Sequence, residues 1–226
     1  MTVVTISRES GTGSREIATE VAKLLGYRHF DKWSIVKVAA ELGLSESQVI
    51  DFSEEDYQVS GFLDRLLGRH PQAGLKIPIR KRDGTGTESL TVEQLDEAVC
   101  VDLIQAAIQA AYQQGNVVIL GRGSQAILQG KPHSFHVRIV ASLDDRARRI
   151  MGEHEELTRA EAQHWAIRQD RKTSEYLKRF FSVAWEDPTL YHLIINMGKL
   201  EPWQAAKIIA DAVAVAQVSP VSMSLP

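Results

Sequence analysis

The residues whose order carries the most chemistry lie near the amino end: Ser7-Arg8-Glu9-Ser10-Gly11-Thr12-Gly13-Ser14-Arg15-Glu16. The apolar run Val3-Val4-Thr5-Ile6 precedes them and the helical run Ile17-Ala18-Thr19-Glu20-Val21-Ala22-Lys23-Leu24-Leu25 follows. Glycines let a backbone turn several N–H groups toward one point, and the electropositive end of a following helix faces the same point. Strand, Gly-x-Gly turn with interleaved hydroxyls, and helix together predict a phosphate cradle built from Ser10, Gly11, Thr12, Gly13, Ser14, Arg15 and Glu16.

The stretch departs from the common phosphate loop G-x-x-x-x-G-K-[ST]. With Gly13 in the second glycine slot, Arg8 stands at the first glycine, Ser14 replaces the lysine and Arg15 takes the hydroxyl slot. That lysine ordinarily brings positive charge to the β- and γ-phosphates. Arg15 is permanently charged and its planar fork pairs with phosphate at two points, which makes it one candidate substitute. The other reading is an outward side chain paired with Glu16 or Glu20.

Further candidates lie along the chain. Arg122 follows the apolar run ending at Leu120, where open α/β sheets present ligand-binding groups; the alternative is a loop salt bridge. Arg168 and Arg171 sit in a charged helical stretch and either meet phosphate or pair at i, i+3 and i, i+4 on a solvated face. Asp31 either orients an acceptor or caps a helix beginning near Trp33. Asp144 and Asp145, just after Ser142, read as first-turn carboxylates. The seven histidines show no metal-ligand spacing, and Cys100 reads as core packing on a helix with Leu103, Ile104 and Ile108. No metal site and no thiol nucleophile is expected.

The elements that must hold these residues are readable too. Val3–Ile6, Asn116–Leu120, His136–Val140 and Tyr191–Ile195 are nearly continuous apolar runs, with Tyr27–Phe30 a fifth strand candidate. Such runs suit strands buried on both faces of a parallel sheet, and helical patterns between them imply crossovers, so five parallel strands are expected. Capping-box pairs Ser45/Gln48, Thr91/Gln94 and Thr158/Glu161 mark helix starts. A last helix opens near Pro202, with Ala205, Ile208, Ile209, Ala212 and Val213 expected to face the sheet. Two regions interrupt the alternation: an inserted lobe over about 52–91, with a hairpin tip at Lys81–Gly86, and a charged helical arm over about 153–187. The tail 219–226 reads as frayed.

The chain has 226 residues, 44% hydrophobic and 24% charged, which suits one large α/β domain spanning 1–226. A net charge of −3 argues against a general nucleic-acid binder, and Arg80-Lys81-Arg82 reads as a solvated tip. One cysteine, no apolar run of membrane-spanning length and no signal-like start place the expectation in the cytoplasm, with no membrane partner.

Taken in order, these strings resemble the cytidylate kinase-like proteins, relatives of bacterial cytidylate kinase among the nucleoside monophosphate kinases. Arg15-Glu16-Ile17-Ala18 matches the R-E-I-A that follows their Gly-rich loop, so the absent lysine is a habit of the group. Phe30-Asp31-Lys32 sits where cytidylate kinases carry L-D-[ST]-G, and Gly121-Arg122-Gly123 resembles their G-R-D, with Gly123 in place of the acid. Arg168-Gln169-Asp170-Arg171 with Tyr176 is similar to the lid segment, and Asp187-Pro188 leading into Tyr191–Asn196 to the last-strand signature.

The resemblance implies a P-loop NTPase-like three-layer α/β fold, a five-stranded parallel sheet with helices on both faces, plus an inserted acceptor-binding lobe and a helical lid. It also implies a phosphotransferase moving the γ-phosphoryl of ATP, with Mg2+ held by no dedicated protein cage, to a small acceptor, with CMP and dCMP as candidates and an acceptor outside nucleotides left open. Arg15, Arg168 and Arg171 would then serve the transferring phosphoryl group, and Asp31, Lys32 and Arg122 the acceptor. Ser14 and Gly123 leave a second reading open, a nucleotide-binding pseudokinase that senses without turnover.

Overall fold

The computed structural model describes residues 1–30, 75–82, 88–95 and 97–218, with side chains described for 1–30 and 101–216. In chain order the strands are β1 (Val3–Arg8), β2 (Arg28–His29), β3 (Leu75–Arg82), β4 (Glu88–Leu95), β5 (Val117–Leu120), β6 (Ser134–Val140) and β7 (Leu193–Asn196). The helices are α1 (Ser14–Leu25), α2 (Glu97–Gln114), α3 (Ser124–Ile127), α4 (Leu143–Glu153), α5 (Arg159–Phe181) and α6 (Pro202–Val218). A 3-10 turn, Pro188–Leu190, precedes β7.

Five strands form one sheet in the order β2-β5-β1-β6-β7. Each neighbouring pair is parallel, and β1 is central, with Val3 opposite Val117 on one side and Ser134 on the other. The four apolar runs and the fainter Tyr27–Phe30 are thus the five strands the sequence predicts. Side chains alternate across β1, as a period of two requires. Val4 and Ile6 pack with Ile17, Ala18 and Val21 of α1 and Ala205, Ala206, Ile209 and Val213 of α6. Val3, Val117 and Ile119 pack with Leu103, Ile104 and Ile108 of α2 on the other face. Sheet and two helical layers make the three-layer α/β fold.

Two local expectations are corrected. Thr91 and Gln94 start no helix: they lie in β4, paired antiparallel with Ile79 and Lys76 of β3, and α2 opens at Glu97. Eight consecutive strand partners, a long-range feature, outcompete a four-residue capping signature. On α6, Ile208 is 42% exposed, while Ala206 is buried in its place. The buried stripe is turned about the helix axis relative to the expected one: Ala205, Ala206, Ile209, Ala210 and Val213 are buried, and Ala212 is only half-buried.

The charged arm is one 23-residue helix, α5, opened by a complete capping box in which Thr158 and Glu161 satisfy each other's backbone donors. Ala162 and Ala166 bury against Ala147 and Ile150 of α4. Further along, Tyr176 and Leu177 bury against Trp185, Leu190 and Tyr191. Asp144 and Asp145 do lie in the first turn of α4, whose N-cap is Ser142. Arg159 beside Asp144, at 2.7 Å, holds that carboxyl below its usual range and ties the two helices at the surface. Of the hairpin tip expected over Lys81–Gly86, Lys81 and Arg82 lie in β3, opposite Ser89 and Glu88 of β4. The rest of that tip, Ser45 and Gln48, Asp31 and Lys32, most of the lobe 52–91 and the tail 219–226 lie outside the described residues.

Candidate phosphate-binding site

β1 delivers the loop to the carboxyl end of the sheet. Its pairing with β6 runs to Arg8 opposite Ile139, and the Glu9 N–H donates to the Ile139 carbonyl at 3.0 Å. Thr12 Oγ1 then donates to the Glu9 carbonyl at 2.8 Å, folding the loop back on itself. Gly11 and Gly13 both take left-handed backbone angles, with φ of 80° and 73°. At Gly11 a Cβ would lie 2.8 Å from Ile150 Cδ1 and 2.9 Å from the Arg146 carbonyl oxygen, so glycine is required twice over.

Gly13 is the N-cap of α1, and no side chain caps this helix. The first N–H groups of a helix have no intrahelical acceptor, so an uncapped start leaves donors and the positive dipole end for an anion. Loop and helix start line a cavity of about 480 Å³ bounded by Arg8, Ser10–Glu16 and, from α4 and α5, Glu153, His154, Trp165 and Gln169. All seven residues expected to form the cradle are therefore in one cavity, Arg15 among them.

A buried ionic network holds the loop from behind. The Glu9 carboxylate accepts the Ala141 N–H at 3.1 Å and faces Arg138 at 3.8 Å and Arg146 at 3.6 Å. Arg146 also donates to the Ser10 carbonyl, at 3.3 Å, and pairs with Asp170 of α5. Asp170 Oδ1 in turn accepts the Ser10 N–H at 2.8 Å. Arg138 donates to the Trp185 carbonyl and lies 4.4 Å from the centroid of the Trp185 ring. The Trp185 indole N–H closes the set by donating to Ser7 Oγ at 2.8 Å. Arg138 and Arg146, the buried charges of the set, are each paired with a half-buried carboxylate, while Arg146 Nε has no hydrogen-bond partner among the described residues.

At the neighbouring strand, β5 ends in three successive left-handed residues: Gly121, Arg122 and Gly123, with φ of 70°, 60° and 68°. The Gly121 N–H donates to the Ile6 carbonyl at 2.9 Å, which keeps this turn level with the start of the loop. The Arg122 guanidinium donates to the Leu120 carbonyl at 3.4 Å and lies 5.4 Å from the Phe30 ring centroid. A Cβ at Gly123 would meet Phe181 at 2.7 Å, so the ring at the end of α5 occupies the space an acid would need. Ser124 Oγ and both amide atoms of Gln125, directly after this turn, are buried without hydrogen-bond partners.

The remaining two arginines are placed differently. Arg168 is exposed on α5 and is not among the residues bounding the loop cavity. Arg171 donates to Glu175 at 2.7 Å and borders a second cavity of about 400 Å³ with Asp170, Ser174, Lys178, Trp185 and Glu186. Sequence reasoning missed Glu9, Arg138, Arg146 and the role of Asp170, whose partners lie from 24 to 160 positions away along the chain. No local pattern marks such pairs. Among the described residues no group of three or more His, Cys, Asp or Glu is placed to hold a metal.

Known proteins give this geometry a context. Cytidylate kinase of Halobacterium salinarum is 23% identical over 212 residues, covering 93% of this chain and 88% of that one. Cytidylate kinase of Natronomonas pharaonis is 23% identical over 214 residues, with the same coverage. A crystal structure of an uncharacterized protein from Eubacterium ventriosum superposes with a TM-score of 0.61 at 17% identity, covering 95% of this chain and 99% of that one, and so shares the fold. A sequence model of the cytidylate kinase-like family matches residues 3–199, from the first residue of β1 to just past β7, so the chain belongs to the cytidylate kinase-like family.

Proposed function

We propose that the chain is a phosphotransferase that moves the γ-phosphoryl group of ATP to a small nucleotide acceptor, with CMP and dCMP the first acceptors to try. The observation that carries this reading is the uncapped start of α1, set behind two left-handed glycines and opening on a cavity of about 480 Å³. That volume lies within the ordinary range for small-molecule sites. Family membership supports kinase-like chemistry at the level of class.

In the reaction, an acceptor oxygen forms a bond to Pγ, the bond from Pγ to the β,γ-bridging oxygen breaks, and ADP leaves. Such a transfer asks little covalent chemistry of the protein; it asks for alignment and for positive charge at the equatorial oxygens. The amides of Ser10–Glu16 would hold the β- and γ-phosphates, and Arg15, at the cavity wall, would stand in for the lysine replaced by Ser14. Arg122, at the carboxyl end of β5, would meet the acceptor together with Asp31 and Lys32. Arg168 and Arg171 would reach the phosphates only by leaving their present surface positions, Arg171 by releasing Glu175. Magnesium would be carried by phosphate oxygens and water, neutralising charge between them.

The test is ADP formation from ATP and magnesium with a panel of nucleoside monophosphates. Turnover with at least one acceptor, falling by a hundredfold or more in Arg15→Ala, is expected, the scale of one preorganised charge donor being about 10²–10³ in rate. Ser14 in the lysine slot favours one alternative, a nucleotide-binding sensor. Thermal stabilisation by MgATP with no ADP from any acceptor would select it.

A further inference from the structure

The Ser10 N–H, one of the amides of the cradle, already has an anionic partner from within the chain. Asp170 Oδ1 accepts it at 2.8 Å, while Asp170 Oδ2 pairs with Arg146. Asp170 belongs to α5, the helix over the site, and so one carboxylate bonds the lid helix to the phosphate loop. We propose that Asp170 is an internal stand-in for phosphate: it latches α5 to the loop and must give way when a triphosphate enters.

Three features of the site support an exchange over a permanent strut. The carboxylate offers the loop what a phosphate offers, a charged oxygen acceptor, and two anions cannot share one amide. Its departure leaves no buried cation stranded, because Arg146 keeps Glu9 at 3.6 Å and the Ser10 carbonyl at 3.3 Å. Ser10, which the carboxylate bonds at 2.8 Å, borders the loop cavity, so a phosphate arriving at that amide meets the carboxylate's negative charge at close range. The latch thus sets a threshold for nucleotide binding and couples occupancy to the position of α5. A ligand shifts such an equilibrium only by its difference in affinity for the latched and unlatched states, and competition for the Ser10 amide supplies that difference.

This inference rests on the phosphate-cradle reading, and the experiment separates the two. MgATP and, as a probe without base or ribose, inorganic tripolyphosphate are titrated calorimetrically into the wild-type chain and Asp170→Asn. The variant keeps shape and removes the charge, so both ligands are expected to bind about tenfold more tightly, the equivalent of one hydrogen bond to a charged group. Equal or weaker binding by a folded variant, with the wild type still binding, overturns the latch and leaves the cradle standing. Failure of both chains to bind either ligand overturns latch and cradle together. Should Asp170→Asn not fold, the wild type carries the test through the Ser10 amide resonance. On adding MgATP that signal must leave its carboxylate-bonded position; a Ser10 signal that stays while those of Gly11 and Gly13 move overturns the latch.

Discussion

Replacing Gly11 with alanine tests the loop's geometry against a control two residues away. At Gly11 the backbone has φ of 80°, and a Cβ would lie 2.8 Å from Ile150 Cδ1 and 2.9 Å from the backbone carbonyl of Arg146. At Gly13 φ is 73°, and the nearest atom to a Cβ is Pro202 Cγ at 3.9 Å, an ordinary contact. A left-handed non-glycine residue costs about 1–2 kcal/mol, and both variants bear that. Only Gly11→Ala adds an overpacking cost of about 1–3 kcal/mol, because a helix carbonyl cannot rotate away as a side-chain tip can. Expected losses are therefore about 2–5 kcal/mol for Gly11→Ala and about 1–2 kcal/mol for Gly13→Ala. In urea unfolding the first variant should lower the midpoint by roughly 1–2 M, and the second by less than half as much. Calorimetric titration with MgATP should also show the larger affinity loss at Gly11, since its clash displaces the loop. Equal midpoints for the two variants would refute the argument that Ile150 and Arg146 wall the loop in.

Other outcomes follow from the same structure. Gly123→Ala should destabilise the fold by about 2–4 kcal/mol, and Gly123→Ala/Phe181→Ala should show a coupling that recovers part of this, measured as a double-mutant cycle in urea; strict additivity would contradict the clash at 2.7 Å. Burial first, then the neighbouring His192, lowers the His136 pKa to about 4 from 6.5. The unfolded chain then takes up that proton first, so this contribution is full above pH 6.5 and is lost as pH falls toward 4, by about 2 kcal/mol at pH 5. His136→Gln should flatten the pH dependence of urea stability between pH 7.5 and 5; an unchanged slope would reject it. Thr158→Ala, which removes half of the capping box of α5, should cost about 1 kcal/mol in thermal unfolding, whereas no loss would mean the cap bonds are idle.

What the sequence showed and what it hid divide along physical lines. The strands were legible because parallel strands buried on both faces read as near-continuous apolar runs, as Val3–Ile6 and Val117–Leu120 do. The start of α5 was legible because Thr158 and Glu161 interact across a single turn. The cradle was legible because strand, glycines and helix are contiguous in the chain. Thr91 misled because its strand partner, Ile79, lies on the other side of a hairpin whose pairing no local rule weighs. Ile208 misled because apolar periodicity on a mostly apolar helix fits two neighbouring faces, and the buried one is centred toward Ala206 and Ala210 instead of Ile208 and Ala212. The supports of the loop were hidden for the same reason: Glu9 reaches Arg146, and Ser10 reaches Asp170, only after the chain has crossed the sheet. Nor does Gly123 show in sequence why no acid stands there; Phe181, far along the chain, supplies the reason.

The central claim is that the amides from Ser10 to Glu16 hold phosphate at the start of α1. A crystal structure with magnesium and a non-hydrolysable ATP analogue tests it most directly. The account predicts triphosphate oxygens at about 3 Å from several of those N–H groups, with Arg15 reaching the β- or γ-phosphate. A triphosphate seated elsewhere on the chain, with the α1 start bare, would contradict it.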